Sequence, residues 1–198
     1  MRIWTTQTLS FWNLLQEQGT VHCDSDRATA DEFFKNAYDW MASEMAARIG
    51  PPPRAGIAYP IWGWQQVGCY KKELHPGYND CGGDEDEFVF ITADIPADQM
   101  LLSDFDMWNL VLNGIRIPTG RRDRKEDEES VRKSWELIFD LDRPVRGYPS
   151  RRNRRIQATF WELRKEWIVS AQRISGYQAW LRKKMAKLTE GSASPLED

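Results

Sequence analysis

The sequence predicts a single α+β domain with a small, twisted, mostly antiparallel sheet flanked by helices. Short segments rich in β-branched and aromatic residues are interleaved with segments in which apolar residues recur at helical spacing. This order, without internal repeats or a clear linker, favours one layered domain over several. We therefore expect residues 1–190 to form the domain and the polar residues 191–198 to form a flexible tail.

Strands are expected where apolar and polar residues alternate or where β-branched and aromatic residues cluster. The segment Ile156–Leu163, IQATFWEL, directly follows an arginine-rich stretch, and Trp167–Ile174 would be its hairpin or sheet partner. The other expected strands are Arg2–Gln7, Tyr59–Val67 and Phe88–Ile95, with shorter extended pieces at Val21–Cys23 and Met100–Leu102.

Helices are expected from their start and stop signals. The first runs from Thr8 to Gln18, with Ser10 as its cap and Gly19 as its stop. Ser103 is the expected cap of a later helix that reaches Asn113. The other expected helices are Thr29–Ile49, which begins with a capping box and ends at a run of prolines, and then Ser130–Phe139 and Ser175–Leu188.

Composition and charge set limits on function. Apolar residues make up 41% and charged residues 29% of the 198 residues, which is typical of a soluble globular domain. The net charge of −3 gives no general attraction to nucleic acid or to an anionic membrane. No secretory signal and no apolar run of membrane-spanning length is evident, so we expect a cytoplasmic protein without a membrane partner.

The reactive residue types narrow the chemistry further. The chain has three cysteines, Cys23, Cys69 and Cys81, at wide spacings, which favours reduced thiols in the cytoplasm. With only His22 and His75 and no CxxC pair, no zinc or other metal site is expected. No histidine is placed by the sequence to activate a thiol, and no phosphate-binding loop, dinucleotide fingerprint or serine-hydrolase elbow occurs.

Ten tryptophans are many for a chain of this length. Most tryptophans serve to fill a core, but aromatic rings beside polar groups also form pockets for flat, ring-bearing ligands. Tyr59, Trp62 and Trp64 lie together in YPIWGW, where alternation places both tryptophans on one face of the strand. They are candidates to stack on such a ligand.

A series of motifs resembles one bacterial family. WTTQ, YDWM, RIGPPP and YPIWGW occur in order in the first third of the chain, followed by LLSDFDMWNLVLN, SWELIFDL and IQATFWEL. Together they span about residues 1–174 and resemble a family of domains of unknown function, number 3841 in that series. The resemblance implies a shared fold and carries no established activity.

A second resemblance implies a chemistry. The opening W-T-T-Q-x-x-x-x-W-x-x-L-x-x-x-G is similar to the first strand and helix of ADP-ribosyltransferase-fold enzymes, and QATFWEL with WIVSAQRI is similar to their closing strands. The resemblance implies NAD as cofactor and a glutamate near the ribose, which falls on Glu162 in one alignment and on Thr159 in another. The histidine of the first strand is replaced by Trp4 or Thr5.

Polar residues near these motifs complete the candidate NAD site. Thr5 and Gln7 share one face of the first strand and are candidates, with Trp4, to hydrogen-bond a ribose or a carboxamide. Gln157 is a further candidate, although alternation puts it on the face opposite Glu162. Glu162 would follow the apolar residues Ile156, Ala158 and Phe160 on its own face.

The four arginines Arg151, Arg152, Arg154 and Arg155 allow two interpretations. Guanidinium groups bind phosphate in a bidentate manner, so they are candidates to hold a pyrophosphate or a nucleic-acid backbone. They equally suit a solvated loop that balances the acidic runs at residues 84–87 and 126–129.

Two function hypotheses follow. The first is an enzyme that transfers ADP-ribose from NAD to a nucleic-acid or protein target, with Glu162 acting at the ribose. The second is a module without catalysis that binds a nucleotide, nucleic acid or protein, for example in phage defence or a toxin–antitoxin system. The enzyme would have Glu162 facing a pocket with Thr5 and Trp62 or Trp64, whereas the module would leave Glu162 in solvent.

Overall fold

The computed structural model describes residues 1–23, 33–67, 87–118, 127–143 and 153–175. Within these ranges the chain forms a six-stranded sheet, a two-stranded sheet and four α-helices, and all described strand pairs are antiparallel, which confirms the α+β class. The strands are β1 Arg2–Thr8, β2 Thr20–His22, β3 Ile61–Val67, β4 Glu87–Asp94, β5 Leu101–Asp104, β6 Arg155–Phe160, β7 Glu162–Arg164 and β8 Ile168–Ser175. The helices are α1 Leu9–Gln18, α2 Lys35–Ile49, α3 Phe105–Leu112 and α4 Glu128–Trp135.

The large sheet has the strand order β5-β6-β3-β1-β4-β8. The expectation that β8 pairs with the strand before it is therefore wrong, because β8 pairs with β4 at the far edge while β6 lies between β5 and β3. The chain bends at Trp161, directly after β6, and the three residues of β7 leave the large sheet to pair with β2. One expected strand thus becomes two.

The helix starts differ from those expected by one or two residues. Thr8, not Ser10, caps α1, since its Oγ1 accepts a hydrogen bond of 3.1 Å from the backbone N–H of Phe11. Asp104, not Ser103, caps α3 by accepting from the N–H of Met107 at 3.1 Å. In both cases the capping residue lies three positions before the residue whose backbone N–H donates to its side chain. The expected stop of α1 is confirmed at Gly19, whose φ of 77° is the left-handed conformation that glycine favours.

Other expected elements are only partly described. α2 begins at Lys35, and α4 continues from Trp135 as a 3₁₀ turn through Phe139. None of the helices in the described ranges has the length and apolarity needed to cross a membrane. The expected capping box at Thr29 and Glu32, the two cysteines Cys69 and Cys81, and the tail at 191–198 lie outside the described residues. Ser175, where the last helix is expected to begin, is instead the final residue of β8, and residues 176–188 of that helix lie outside the described residues.

Two hydrophobic clusters form the core. One is mainly aliphatic and joins β1, β3, β4 and β6 to α1 and β7, with Ile3, Ile91 and Phe160 each fully buried. Gly63 packs closely against this cluster, since an added Cβ would come within 2.7 Å of Ile3 Cγ2. The other cluster is rich in tryptophan and methionine and joins α2, α3 and α4. The sheet therefore carries an aliphatic core and an aromatic one, and the second borders the candidate site.

Candidate functional site

A large cavity opens beside β1, and we call it the aromatic cavity. β1 pairs with β4 along its whole length, from Arg2↔Asp94 to Thr8↔Phe88, but with β3 at the single pair Trp4↔Trp64. The volume of about 870 Å³ lies in the range of small-molecule sites. The lining residues are Trp4, Thr5, Thr6, Gln7, Thr8, Ser10, Phe11, Leu14, Val21, His22, Cys23, Tyr38, Pro60, Ile61, Trp62, Gly63, Trp64, Phe90, Phe105, Trp108, Asn109, Leu112 and Gln157.

Aromatic rings in mutual contact form one wall of the cavity. The rings of Trp62 and Trp108 lie 5.1 Å apart between centroids, and Tyr38 meets both edge-on at 5.8 and 5.7 Å. Trp64 packs edge-on against Phe105 at 4.9 Å. Edge-to-face contacts of this kind hold each ring in place. The wall is therefore preorganised for a flat, apolar or ring-bearing ligand.

A row of side chains crosses four strands on one face of the sheet. Directly opposed residues of antiparallel strands share a face, and the pairs Trp4↔Trp64, Trp64↔Gln157 and Gln157↔Ser103 therefore align their side chains. Gln157 Nε2 donates to Ser103 Oγ at 3.0 Å, and Gln157 is only 3% exposed. This register brings Gln157 from β6 to the cavity wall beside Trp64.

The polar residues of β1 form a short relay at the cavity. Gln7 Nε2 donates to Thr5 Oγ1 at 2.7 Å, and Thr5 Oγ1 donates in turn to the backbone carbonyl of Trp62 at 2.7 Å. The second bond links β1 to β3 beyond their single strand pair. Thr5 and Gln7 are thus held in fixed orientations, as a binding site requires.

Most lining residues were not nominated by the sequence analysis, and three of these, His22, Cys23 and Asn109, carry polar or reactive groups. His22 ends β2 with Nδ1 3.3 Å from the carbonyl of Trp161, and the partly exposed thiol of Cys23 follows it. Asn109 lies on α3 and donates from Nδ2 to the carbonyl of Phe105 at 2.8 Å. A signal for Asn109 was present, since it is the one polar residue in the stripe 105, 108, 109 and 112 at helical spacing. Nothing local distinguishes His22.

Glu162 takes a position that neither hypothesis foresaw. It lies in β7, its side chain is 11% exposed, and it accepts from Arg164 Nε at 2.6 Å. It does not line the aromatic cavity, although it lies across the strand pair from His22, which does. The expectation that Glu162 shares a face with Phe160 is wrong, because the bend at Trp161 shifts the alternation and Leu163 joins the aliphatic core instead.

Tyr59 and Thr159 also lie away from the cavity lining. The Tyr59 hydroxyl donates to Asp39 Oδ1 at 3.0 Å, and burial together with that carboxylate raises the pKa of Tyr59. Its ring meets Tyr38 at 6.0 Å, so it supports a lining residue from behind. Thr159 is fully buried and donates to the carbonyl of Leu101 at 3.2 Å.

The arginines before β6 separate into different roles. The Arg154 side chain is 2% exposed, lies 3.5 Å from Asp104 Oδ2 and donates to the carbonyl of Leu141 at 3.0 Å. Burial raises the pKa of Asp104, although the Met107 N–H and Arg154 oppose that effect. A phosphate contact expected for Arg154 is therefore wrong, because its guanidinium is enclosed by protein groups. Arg151 and Arg152 lie outside the described residues.

Arg155 is the exposed member of this group. It pairs with Asp106, and its guanidinium lies 4.5 Å above the ring of Phe105, which lines the aromatic cavity. The side chain is 40% exposed. A phosphate bound there would compete with Asp106 for the guanidinium.

The lining of the aromatic cavity carries no formal charge from Lys, Arg, Asp or Glu in the described part of the chain. Nor do the described residues contain a cluster of three or more His, Cys, Asp or Glu able to hold a metal ion. Polar recognition at this site therefore depends on neutral hydrogen-bonding groups.

The fold and cavity define a class: an α+β domain with a preorganised aromatic site where two central strands part. The chain belongs to the family described as domain of unknown function DUF3841, whose model matches residues 2–131. No curated protein and no solved structure matches the chain.

Proposed function

We propose that the aromatic cavity binds NAD by one of its rings and that the protein transfers ADP-ribose from it to a nucleic-acid or protein target. The observation that carries the proposal is the convergence on one cavity of residues from three distant segments. Six residues that the sequence analysis nominates for an NAD site line it together: Trp4, Thr5, Gln7, Trp62, Trp64 and Gln157.

The chemistry of the lining supports a nucleotide ring. Aromatic faces stack on a flat heterocycle, and the neutral amide groups of Gln7 and Gln157 on the lining can hydrogen-bond its polar atoms. A diphosphate would extend beyond this uncharged region. Arg155, in contact with the Phe105 ring at the cavity, is the described cation best placed to meet it.

Transfer would break the bond between C1′ of the ribose and the nicotinamide nitrogen. The electron pair leaves with nicotinamide, while a nucleophile of the target bonds to C1′ and loses its proton to water. The transition state resembles an oxocarbenium ion, so a nearby carboxylate stabilises it. Glu162 is the candidate for this role: it does not itself line the aromatic cavity, but it lies across the β2–β7 pair from the lining residue His22.

A second candidate function is ligand binding without catalysis. The observation that favours it is the ion pair of Glu162 with Arg164, which partly neutralises the carboxylate, together with its absence from the cavity lining. In this case NAD or a related nucleotide would bind to the same aromatic wall and remain intact.

The deciding experiment combines calorimetry with transfer of label from labelled NAD into protein, RNA and DNA of a cell extract. Glu162→Gln is compared with Glu166→Gln as a matched control, because Arg164 contacts both carboxylates and Glu166 is 70% exposed. Binding with transfer that only Glu162→Gln abolishes would establish the transferase. Binding without transfer would leave the second candidate, and absence of NAD binding would overturn the proposal.

A further inference from the structure

We infer that the aromatic cavity selects rings that carry an amino or carboxamide NH₂ group and rejects counterparts with an oxo or carboxylate group at that place. The inference deepens the proposed function, on which it rests for NAD as the ligand. It is carried by hydrogen-bonding groups whose orientation the protein itself fixes.

Asn109 presents an acceptor. Its Nδ2 donates to the backbone carbonyl of Phe105 at 2.8 Å, and a carbonyl oxygen can only accept. The amide orientation is therefore determined by its partner, and Oδ1 is the remaining accepting atom. Asn109 lines the cavity on the side of α3.

Gln7 presents a second acceptor. Thr5 Oγ1 has one hydrogen, which goes to the carbonyl of Trp62 at 2.7 Å. The group of Gln7 that lies 2.7 Å from Thr5 Oγ1 must therefore be a donor, the amide nitrogen. This logic fixes the Gln7 amide and leaves its Oε1 as an acceptor on a lining residue.

His22 presents a third acceptor. Its Nδ1 lies 3.3 Å from the carbonyl of Trp161, so the neutral ring carries its hydrogen on Nδ1 and a lone pair on Nε2. Among the described residues, none makes a hydrogen bond to His22 Nε2, Asn109 Oδ1 or Gln7 Oε1. The three acceptors lie on β2, α3 and β1, around one cavity.

Donors lie beside these acceptors: Trp4 Nε1–H and the second amide hydrogens of Gln7 and Asn109. Trp4 Nε1–H is buried and makes no hydrogen bond to the described residues, and Trp4 is 8% exposed at the cavity wall. A group with adjacent NH₂ and acceptor atoms suits this set, as in a primary carboxamide or in an amino group beside a ring nitrogen. The described lining contains no Lys or Arg, so a carboxylate would lose hydration there without gaining a cationic partner.

The test has two matched ligand pairs, measured by calorimetry at pH 7: NAD against its nicotinic-acid analogue, and adenine against hypoxanthine. The amino or carboxamide member of a pair should bind about 100-fold more tightly, since a site built to hydrogen-bond a group discriminates strongly against its loss. Equal affinities within both pairs would overturn the inference.

The residue test compares Asn109→Leu with Asn113→Leu. Both asparagines donate Nδ2 to the carbonyl four residues earlier, at 2.8 and 2.7 Å, but only Asn109 lines the cavity. We expect Asn109→Leu to reduce the discrimination within a pair about ten-fold, the loss of one hydrogen bond, and Asn113→Leu to leave it unchanged. Equal effects of the two variants would contradict the assignment.

The outcomes separate this inference from the proposed function. If NAD fails to bind but adenine binds more tightly than hypoxanthine, the NAD proposal fails and the selectivity stands. If NAD and its nicotinic-acid analogue bind equally and the bases do too, NAD binding stands and the selectivity fails.

Discussion

The two edges of β1 are built differently. Towards β4 the strand is paired at every residue, and the aliphatic side chains of Val89, Ile91 and Ala93 fill the space beside it. Towards β3 it makes one strand pair and borders the aromatic cavity. The paired edge serves stability, and the open edge frees side chains for a ligand.

Truncation on the paired edge should give the largest effect. Ile91→Ala removes a fully buried side chain, so we expect the free energy of unfolding to fall by about 2–5 kcal/mol in urea denaturation. Gln7→Ala, at the open edge, removes a partly exposed polar residue and is the comparison. If it costs as much as Ile91→Ala, the two edges do not differ as described.

Gly63→Ala probes the point where β1 and β3 approach most closely. The added methyl would lie 2.7 Å from Ile3 Cγ2 and 3.0 Å from the carbonyl oxygen of Trp4. We expect the free energy of unfolding to fall by about 1–3 kcal/mol, as for an overpacked core. Unchanged stability in urea would show that the approach of the two strands is adaptable.

The pH dependence of the free energy of unfolding tests the buried cap of α3, Asp104, which lies beside the open edge. Burial raises its pKa above the ordinary value of 3.8, so protonation favours the folded state. The stability of the wild type relative to Asp104→Asn should rise as the pH falls from 7 through the folded-state pKa, and level off below 3.8. Urea denaturation at several pH values measures this difference, and a fall towards acid pH would contradict it.

Asp94→Asn should have the smallest effect. Arg2 and Asp94 form an ion pair at the end of the paired edge, where their side chains are 41% and 51% exposed. Exposed ion pairs contribute little, so the urea midpoint at pH 7 should shift barely beyond error. A large shift would mean that the Arg2–Asp94 ion pair contributes substantially to stability at the paired edge, beside strand pairing and burial.

Several features of the two edges could be predicted from the sequence, because strand alternation and helix stop signals depend only on neighbouring residues. The strand at residues 2–7, the expected helix end at Gly19 and the shared face of Trp62 and Trp64 could be predicted in this way. Gln157 and the tryptophans were identified as site candidates by their motifs, and they line the cavity.

The remainder depends on contacts between distant residues. The order of strands in the sheet determines that β8 pairs with β4, and local sequence patterns do not predict this order. The face of Glu162 depends on the bend at Trp161, and the burial of Arg154 depends on carbonyl groups at Leu141 and Arg143 that come from another segment. His22 lies at the cavity on β2, which pairs with the distant β7.

The single pair Trp4↔Trp64 has a mechanical consequence. In terms of strand pairing the sheet consists of two three-stranded halves, β5-β6-β3 and β1-β4-β8, which are joined by one residue pair and by the hydrogen bond from Thr5 Oγ1 to the Trp62 carbonyl. A ligand that contacts Trp64 and Gln157 on one half and Gln7 on the other would hold the two halves together. Amide hydrogen exchange in β1 and β3 would then slow on binding, including at residues the ligand never touches.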